Sequence, residues 1–268
     1  MHPPAGGPWR RYVALGDSFT EGLADPDPQR PGEFRGWADR LAGHLAAHLG
    51  TVDPAGELEY ANLAVRGRLL PQVLAEQVPV ALEAGPDLVS LVAGGNDLLR
   101  PGADPDALVA ALEEVVVRFR AAGADVLLAT GVDPRLTPLI RRTRGRVAVF
   151  NASLWSLAAR HGAAVLDQWG AAWLLDWRLW DGDRIHLTAE GHRRVALAAA
   201  SALGVPVPDA GDWSTPLPAP PPRALRAAVG EEVAWLRGFV VPWVGRRLRG
   251  RSSGDGRAPK RPVPLVLG

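Results

Sequence analysis

Short apolar runs alternate with longer amphipathic runs from about residue 11 to residue 204. This alternation is typical of βα units, in which each buried strand is followed by a helix that covers the sheet. Two helices are well marked, because residues 36–49 repeat Trp or Leu at every fourth position and residues 104–123 run from Asp-Pro to a glycine. The pattern predicts an α/β fold with a parallel sheet. The five predicted strands span residues 12–16, 58–65, 87–95, 124–132 and 163–169.

The sequence changes character beyond this region. Residues 204–224 are rich in proline, which is incompatible with a helix or a central strand and predicts extended backbone. Apolar residues from Val229 to Val244 then recur at helical spacing, which predicts an amphipathic helix that Pro242 kinks or ends. The chain beyond this helix is basic and rich in Gly, Ser and Pro, which favours a flexible tail.

We therefore expect a main domain over residues 1–204, a Pro-rich and helical extension over 205–248 and a flexible basic tail over 249–268. Three roles are open for the extension. Its apolar stripe packs on the main domain, covers a site as a lid, or rests on a membrane surface.

Composition excludes several classes of protein. The chain has no cysteine, which excludes disulfides, thiolate catalysis and Cys-ligated metal centres. The last stretch holds seven basic residues against Asp255 alone, which leaves the main domain slightly acidic and without the basic face that binding of duplex nucleic acid requires. No run approaches the ~18 apolar residues of a transmembrane helix, and the N-terminal stretch lacks the pattern of a secretory signal. We expect a cytoplasmic protein.

Ser18 directly follows the first predicted strand, in the sequence Gly-Asp-Ser. The carboxyl edge of a parallel sheet is where open α/β folds bind their ligands. The Ser18 N–H would also lie at the N-terminus of the next helical stretch, which favours an anion. Serine is, however, among the commonest helix N-cap residues. Taken alone, Ser18 is either a nucleophile or a helix cap.

Asp183 and His186 stand three residues apart, just before a helix that Thr188 is expected to cap. A serine nucleophile needs a neighbouring base, and the imidazole needs a carboxylate that fixes its tautomer and stabilises its charged form. One loop can supply both groups. A structural histidine is the alternative, and a zinc site with His192 fits poorly because no metal-binding spacing is present.

Two further loops offer donors for a developing oxyanion. Gly67 in NLAVRGR follows the second strand, and a glycine lets its backbone N–H approach a substrate closely. Asn96 in VAGGNDLL follows the third strand and offers its side-chain amide. An isolated Gly-Gly-Asn-Asp is also a common turn or helix cap.

The blocks GDSFTEG, NLAVRG, GGNDLL and DRIHL, in this order, resemble those of the SGNH (GDSL) hydrolase superfamily over about residues 11–204. The nucleophile block departs slightly from the usual Gly-Asp-Ser-Leu, since Phe19 replaces Leu. The resemblance implies a flavodoxin-like three-layer α/β/α sandwich, an open site and no cofactor or metal. It implies that Ser18 is the nucleophile, His186 the base and Asp183 its partner. It also implies an oxyanion hole formed by Ser18, Gly67 and Asn96.

The resemblance leaves the reaction open between two classes. The first is a serine esterase that cleaves carboxylic esters of short to medium acyl chains through an acyl-enzyme. The second is an acyltransferase that passes a medium-chain acyl group to a sugar or sugar-acid hydroxyl such as that of glucosylglycerate. The C-terminal part is similar to that of actinobacterial members, some of which catalyse such transfer. A non-catalytic protein that binds carbohydrate or lipid through tryptophans is a third hypothesis.

Substrate contacts are predicted at three residues. A helix over residues 169–180 would place four tryptophans on one face, which is either core packing or the wall of an acyl groove. We name Trp177 and Trp180 as substrate-binding candidates on the second interpretation. Arg66 flanks Gly67 and, if it points inward, would hold an anionic sugar acceptor in forked geometry. The sequence does not predict an oligomeric state.

Overall fold

The computed structural model describes residues 7–137, 140–207, 213–219 and 252–267, together with the isolated residues Trp235, Gly238 and Gly245. Its strands are β1 (Arg11–Gly16), β2 (Glu59–Asn62), β3 (Leu88–Val92), β4 (Asp125–Ala129), β5 (Ala164–Leu166) and β6 (Arg261–Val266). Its helices are α1 (Ser18–Glu21), α2 (Gly36–Val52), α3 (Leu70–Glu76), α4 (Val78–Ala84), α5 (Gly95–Leu98), α6 (Pro105–Ala121), α7 (Arg144–His161) and α8 (Ala189–Ala202).

The sheet has the strand order β5-β4-β3-β1-β2-β6. The first five strands are parallel to one another, and their order 2-1-3-4-5 is that of flavodoxin-like folds. Strand β1 is central, so the loop that follows it lies between the loops that follow β2 and β3. The topology therefore brings the chain around Ser18, Gly67 and Asn96 to one edge of the sheet.

Helices cover both faces of the sheet. On one face α2 and α8 bury Trp37, Leu41 and Val195 against the sheet residues Tyr12 and Tyr60. On the other face α3, α4, α6 and α7 bury a second apolar cluster that includes Phe119 and Phe150. Burial of these two apolar clusters stabilises the three layers. The α/β/α sandwich expected from the sequence is confirmed.

The five predicted parallel strands are present, and β6 adds a sixth that was not predicted, antiparallel to β2 at the edge of the sheet. The residues of β6 lie in the tail that the composition predicts to be flexible. Composition predicts disorder when a segment buries too little apolar surface to offset its conformational entropy. Here the edge of β2 supplies backbone hydrogen-bond partners, and Pro262 and Pro264 are tolerated because β6 is itself an edge strand.

Only part of the C-terminal extension is described. Residues 216–219 have no regular secondary structure, and the guanidinium of Arg178 donates to the Pro218 carbonyl. The predicted amphipathic helix, Val229 to Val244, falls outside the described residues except for Trp235 and Gly238. Within the described part of the chain, no helix combines the length and apolar character needed to cross a bilayer.

Candidate active site

Ser18 is the first residue of α1, and the residue before it performs the capping. The side chain of Asp17 accepts a hydrogen bond of 3.0 Å from the Phe19 N–H. The Ser18 side chain is half-buried and lines a cavity at the carboxyl edge of the sheet. Asp17 therefore takes the cap role that the sequence left open for Ser18, and Ser18 lines the cavity.

Asp17 also orients Asn96 across the sheet edge. Gly16 pairs with Val92, which places the start of α1 beside the loop that follows β3. The Asn96 side-chain amide donates to the Asp17 carboxylate over 2.9 Å and to the Arg68 carbonyl over 3.1 Å. Both amide hydrogens are engaged, so Asn96 connects the loops that follow β1, β2 and β3.

Burial raises the pKa of Asp17 to about 6, while the hydrogen bond from Phe19 and the charge of His186 act in the opposite direction.

Gly67 lies on the other side of the Ser18 loop. The chain after β2 continues beside β1, because the Val65 N–H donates to the Gly16 carbonyl. Gly67 then adopts a φ of 73°, in the left-handed region that glycine enters without strain. The close approach of the Gly67 N–H to a substrate stays a prediction.

His186 and Asp183 form a hydrogen-bonded pair. The imidazole Nδ1 lies 2.5 Å from Asp183 Oδ2, and Asp183 Oδ1 accepts hydrogen bonds of 2.9 Å from the backbone N–H groups of Ile185 and His186. Burial alone would raise the pKa of Asp183, but these hydrogen bonds and the charge of His186 hold that pKa below its ordinary value. Asp183 is thus ionised and accepts a hydrogen bond from the Nδ1–H of His186. This leaves Nε2 as the basic nitrogen.

The turn that carries this pair is fixed from both ends. The Asp181 N–H donates to the His186 carbonyl over 2.8 Å, and Thr188 caps α8 directly behind it, as predicted. Arg184 has a φ of 58°, which is uncommon for a residue with a side chain. The Trp235 indole donates to the Asp183 carbonyl over 3.0 Å, and the Arg184 guanidinium lies 4.7 Å from the centroid of the Trp235 ring system.

A cavity of about 220 Å³ opens at Ser18. Its wall is mostly apolar and extends away from Ser18 between the loops that follow β3 and β4 and the start of α7. Its lining includes Asn96, Val132, Val147, Phe150, Trp180 and Ile185. Ile185, the neighbour of His186, therefore shares a cavity with Ser18. No hydrogen bond joins the Ser18 and His186 side chains in the described structure.

Arg66 does not line this cavity. Its guanidinium pairs with Glu21, the Arg66 N–H donates to the same carboxylate over 2.7 Å, and the Phe34 ring covers the guanidinium at 5.2 Å. Both side chains are nearly buried, with exposed fractions of 13% for Arg66 and 12% for Glu21. The structure therefore places Arg66 in an internal ion pair rather than facing a substrate.

The four tryptophans do not share one helical face, so that expectation is wrong. Residues 172–179 form two short 3₁₀ helices, Ala172–Leu175 and Trp177–Leu179, and Asp176 caps the second through the Arg178 N–H. Trp173 is buried against Trp213, whereas Trp177 is exposed and lines a separate cavity of about 70 Å³. Trp180 lines both cavities.

His192, considered for zinc, is a buried structural residue. Its Nδ1 accepts from the Trp37 N–H over 3.1 Å, and its Nε2 donates to the Leu23 carbonyl over 3.0 Å. Burial lowers the pKa of His192 to about 4, which keeps the ring neutral in this arrangement.

Comparisons with known proteins agree with this geometry. Residues 14–194 match the GDSL-like lipase/acylhydrolase family. The chain belongs to this family. The matched residues include the Ser18, Gly67, Asn96 and Asp183–His186 loops, so this membership supports an enzyme that acts on esters.

Solved structures show the same fold. LAE5, an α/β hydrolase enzyme from the metagenome of Lake Arreo in Spain, is 25% identical, with 75% of this chain and 97% of that chain covered and a TM-score of 0.58. An acetyl xylan esterase from Geobacillus stearothermophilus is 18% identical, with 77% and 99% covered and a TM-score of 0.60. TesA is 24% identical, with 72% and 98% covered and a TM-score of 0.55. No curated protein sequence matches the chain.

The sequence analysis missed several residues around the site. Asp17 and Glu21 lie in the GDSFTEG block without a predicted role, Trp235 lies in the extension whose role was open, and Ser252 and Lys260 lie in the tail predicted to be flexible. The sequence offers one indication for Lys260, which stands out as the only lysine in the chain.

Proposed function

We propose that the protein is a serine esterase that hydrolyses carboxylic esters of short to medium acyl chains through an acyl-enzyme on Ser18. The observation that carries this proposal is the apolar cavity that opens at Ser18, with the His186–Asp183 pair on a loop that borders the same cavity. A cytoplasmic location stays a prediction.

In this mechanism the Ser18 hydroxyl attacks the ester carbonyl and His186 Nε2 takes its proton. Asp183 holds the proton on Nδ1 and stabilises the imidazolium that forms. The tetrahedral intermediate expels the alcohol, which takes the proton from Nε2. Water then attacks the acyl-enzyme with the same base, and the acid leaves.

The oxyanion would accept hydrogen bonds from the backbone N–H groups of Ser18 and Gly67 and from the Asn96 amide. The Asn96 amide has both hydrogens engaged in the free protein. One of them must turn from the Arg68 carbonyl to the oxyanion, while the bond to Asp17 keeps the amide plane in place. A rearrangement of this kind is common, because catalytic hydrogen bonds often form fully only when the substrate binds.

The acyl chain would occupy the cavity beyond Ser18. Val132, Val147 and Phe150 provide an apolar surface, and burial of each methylene of the acyl chain contributes about 0.8 kcal/mol. The alcohol portion then lies on the solvent side. A short or medium chain fits a cavity of about 220 Å³ better than a long one.

A direct test combines labelling with turnover. The full-length protein is incubated with a fluorophosphonate, and the labelled peptide is identified by mass spectrometry. p-Nitrophenyl esters of increasing chain length are then assayed with Ser18→Ala and, as a matched control, with Ser201→Ala in α8. We expect label on Ser18, turnover of short and medium esters, and loss of both only in Ser18→Ala.

The same assay separates hydrolysis from transfer. Sugar and sugar-acid acceptors are added, and both free acid and acylated acceptor are followed. Free acid as the sole product supports the esterase, whereas acylated acceptor assigns the acyltransferase function. Absence of both label and turnover contradicts the proposed function and leaves the binding-protein hypothesis.

A further inference from the structure

The C-terminal segment Ser252–Leu267 reaches the side of the candidate site that carries Gly67. Strand β6 pairs with β2 through Glu59↔Val266, Tyr60↔Leu265 and Asn62↔Arg261. Strand β2 is the strand whose following loop contains Gly67. The turn that precedes β6 therefore lies against that loop.

Ser252 and Gly254 contact the Gly67 loop at its backbone. The Ser252 hydroxyl donates to the Gly67 carbonyl over 3.2 Å, and the Gly254 N–H donates to the Ser252 hydroxyl over 3.2 Å. A Cβ atom on Gly67 would overlap Ser252, and a Cβ atom on Gly254 would overlap the Arg66 carbonyl. The two segments are thus closely packed: backbone contact excludes a side chain at Gly254, and the positive φ of Gly67 disfavours one there.

Lys260 ties the same segment to the Ser18 helix. Its ammonium donates to the Glu21 carbonyl over 2.6 Å and to the Phe34 carbonyl over 2.8 Å, and it pairs with the Asp39 carboxylate at 2.5 Å. The Lys260 side chain is only 10% exposed. All three ammonium hydrogens therefore have partners on elements of the main domain.

The contacts continue from Lys260 to the Gly67 loop. Glu21 closes α1, the helix that begins at Ser18, and its carboxylate accepts the Arg66 backbone N–H and guanidinium. Arg66 directly precedes Gly67. Lys260 and Ser252 thus hold the Gly67 loop from two directions, one through Glu21 and Arg66 and the other directly.

We propose that the C-terminal segment is a working part of the active site, in which Ser252 and Lys260 are positioning residues that fix the Gly67 N–H toward the oxyanion. This proposal rests on the proposed function, because it assigns a role to a loop whose chemistry is that of the esterase. Its physical basis is that oxyanion stabilisation depends on preorganised donors, and loss of one donor costs about 10²–10³-fold in rate.

The test uses full-length Ser252→Ala and Lys260→Met, with Ser253→Ala as the matched control and Lys260→Arg as the conservative variant. Each is assayed for kcat and KM with a short p-nitrophenyl ester, for the rate of fluorophosphonate labelling, and for Tm. We expect kcat and the labelling rate to fall about 10- to 100-fold in Ser252→Ala and Lys260→Met. KM should change less than about threefold, since the acyl cavity is untouched. Ser253→Ala should match the wild type, and Lys260→Arg should recover part of kcat.

If Ser252 and Lys260 only stabilise the fold, the variants should have a lower Tm but no selective fall in kcat at nearly constant KM. The proposal is overturned if folded Ser252→Ala retains wild-type kcat, or if Lys260→Met loses activity only in proportion to its unfolded fraction. Should Lys260→Met not fold, Ser252→Ala decides the question alone. An inactive, unlabelled wild type would contradict the proposed function instead, whereas an active wild type with unaffected variants contradicts only this inference.

Discussion

The Asn96 amide donates a 2.9 Å hydrogen bond to the carboxylate of Asp17, the residue that directly precedes Ser18. One oxygen of Asp17 caps α1 and the other holds Asn96, so a single buried carboxylate positions both the helix that begins at the proposed nucleophile and a proposed oxyanion donor. The residue is central to the site although it touches no substrate in the proposed mechanism.

Asp17→Asn should lower activity without lowering stability. The variant places an amide NH₂ against the Asn96 NH₂, and loss of this hydrogen bond should reduce kcat about 10-fold. Because the pKa of Asp17 in the folded protein, about 6, exceeds that of the unfolded chain, its ionisation destabilises the native state above that pH.

Stability of Asp17→Asn is measured as Tm against pH, beside kcat. At pH 7.5 we expect a Tm equal to or above that of the wild type, and the difference should shrink as the pH falls through about 6 and wild-type Asp17 takes up its proton. Asp106→Asn on the exposed start of α6 is the control. A large drop in Tm at pH 7.5 would show that the ionised carboxylate is required for folding.

Asp183→Asn should retain the fold and lose most activity. The Asn oxygen can still accept from the backbone N–H groups of Ile185 and His186, but its amide would face Nδ1 and favour the wrong imidazole tautomer. We expect kcat to fall about 10³–10⁴-fold with little change in KM. Asp181→Asn, an exposed residue of the same turn, should be neutral. Equal kcat values for the two variants would remove Asp183 from the mechanism.

Val147→Phe should shorten the acyl chain that the enzyme accepts. Val147 lines the cavity near Gly131, so a larger ring fills space that the distal methylenes would occupy. We expect kcat/KM for hexanoyl and octanoyl esters to fall about 10-fold, while that for acetyl esters stays within a factor of about three. Val149→Phe on the exposed side of α7 is the control. A uniform loss over all chain lengths would place the acyl group elsewhere.

Arg66→Met should act mainly on stability, because the backbone N–H of this residue still donates to the Glu21 carboxylate and keeps the Gly67 loop attached to α1. Removal of one member of a nearly buried pair leaves Glu21 without its partner, at a cost of about 3 kcal/mol or roughly 6–12 °C in Tm. The double variant Glu21→Gln with Arg66→Met should recover part of this loss, because neither uncompensated charge remains. If Arg66→Met instead loses only acyl transfer to anionic acceptors and keeps the wild-type Tm, Arg66 contacts the substrate.

Local pattern alone predicted the five parallel strands and the helices α2, α6 and α8, since burial in a βα fold imposes its periodicity on neighbouring residues. The four blocks also suggested Ser18, Gly67, Asn96, Asp183 and His186 as candidate site residues, because each block lies at a strand end or helix start and resembles a family motif. The conformation of residues 169–180 could not be predicted in this way. The spacing of the tryptophans favours one helix, but the segment forms two short 3₁₀ helices, the second of which Asp176 caps.

Only the tertiary structure decided which charges face one another. Arg66 and Glu21 are 45 positions apart, and Lys260 and Asp39 are 221 positions apart. No local pattern marks such pairs, because they depend on which strands become neighbours. The same holds for β6, whose composition favours disorder until the open edge of β2 provides hydrogen-bond partners. The sequence thus determined the chemical groups, whereas long-range strand pairing determined what holds them in place.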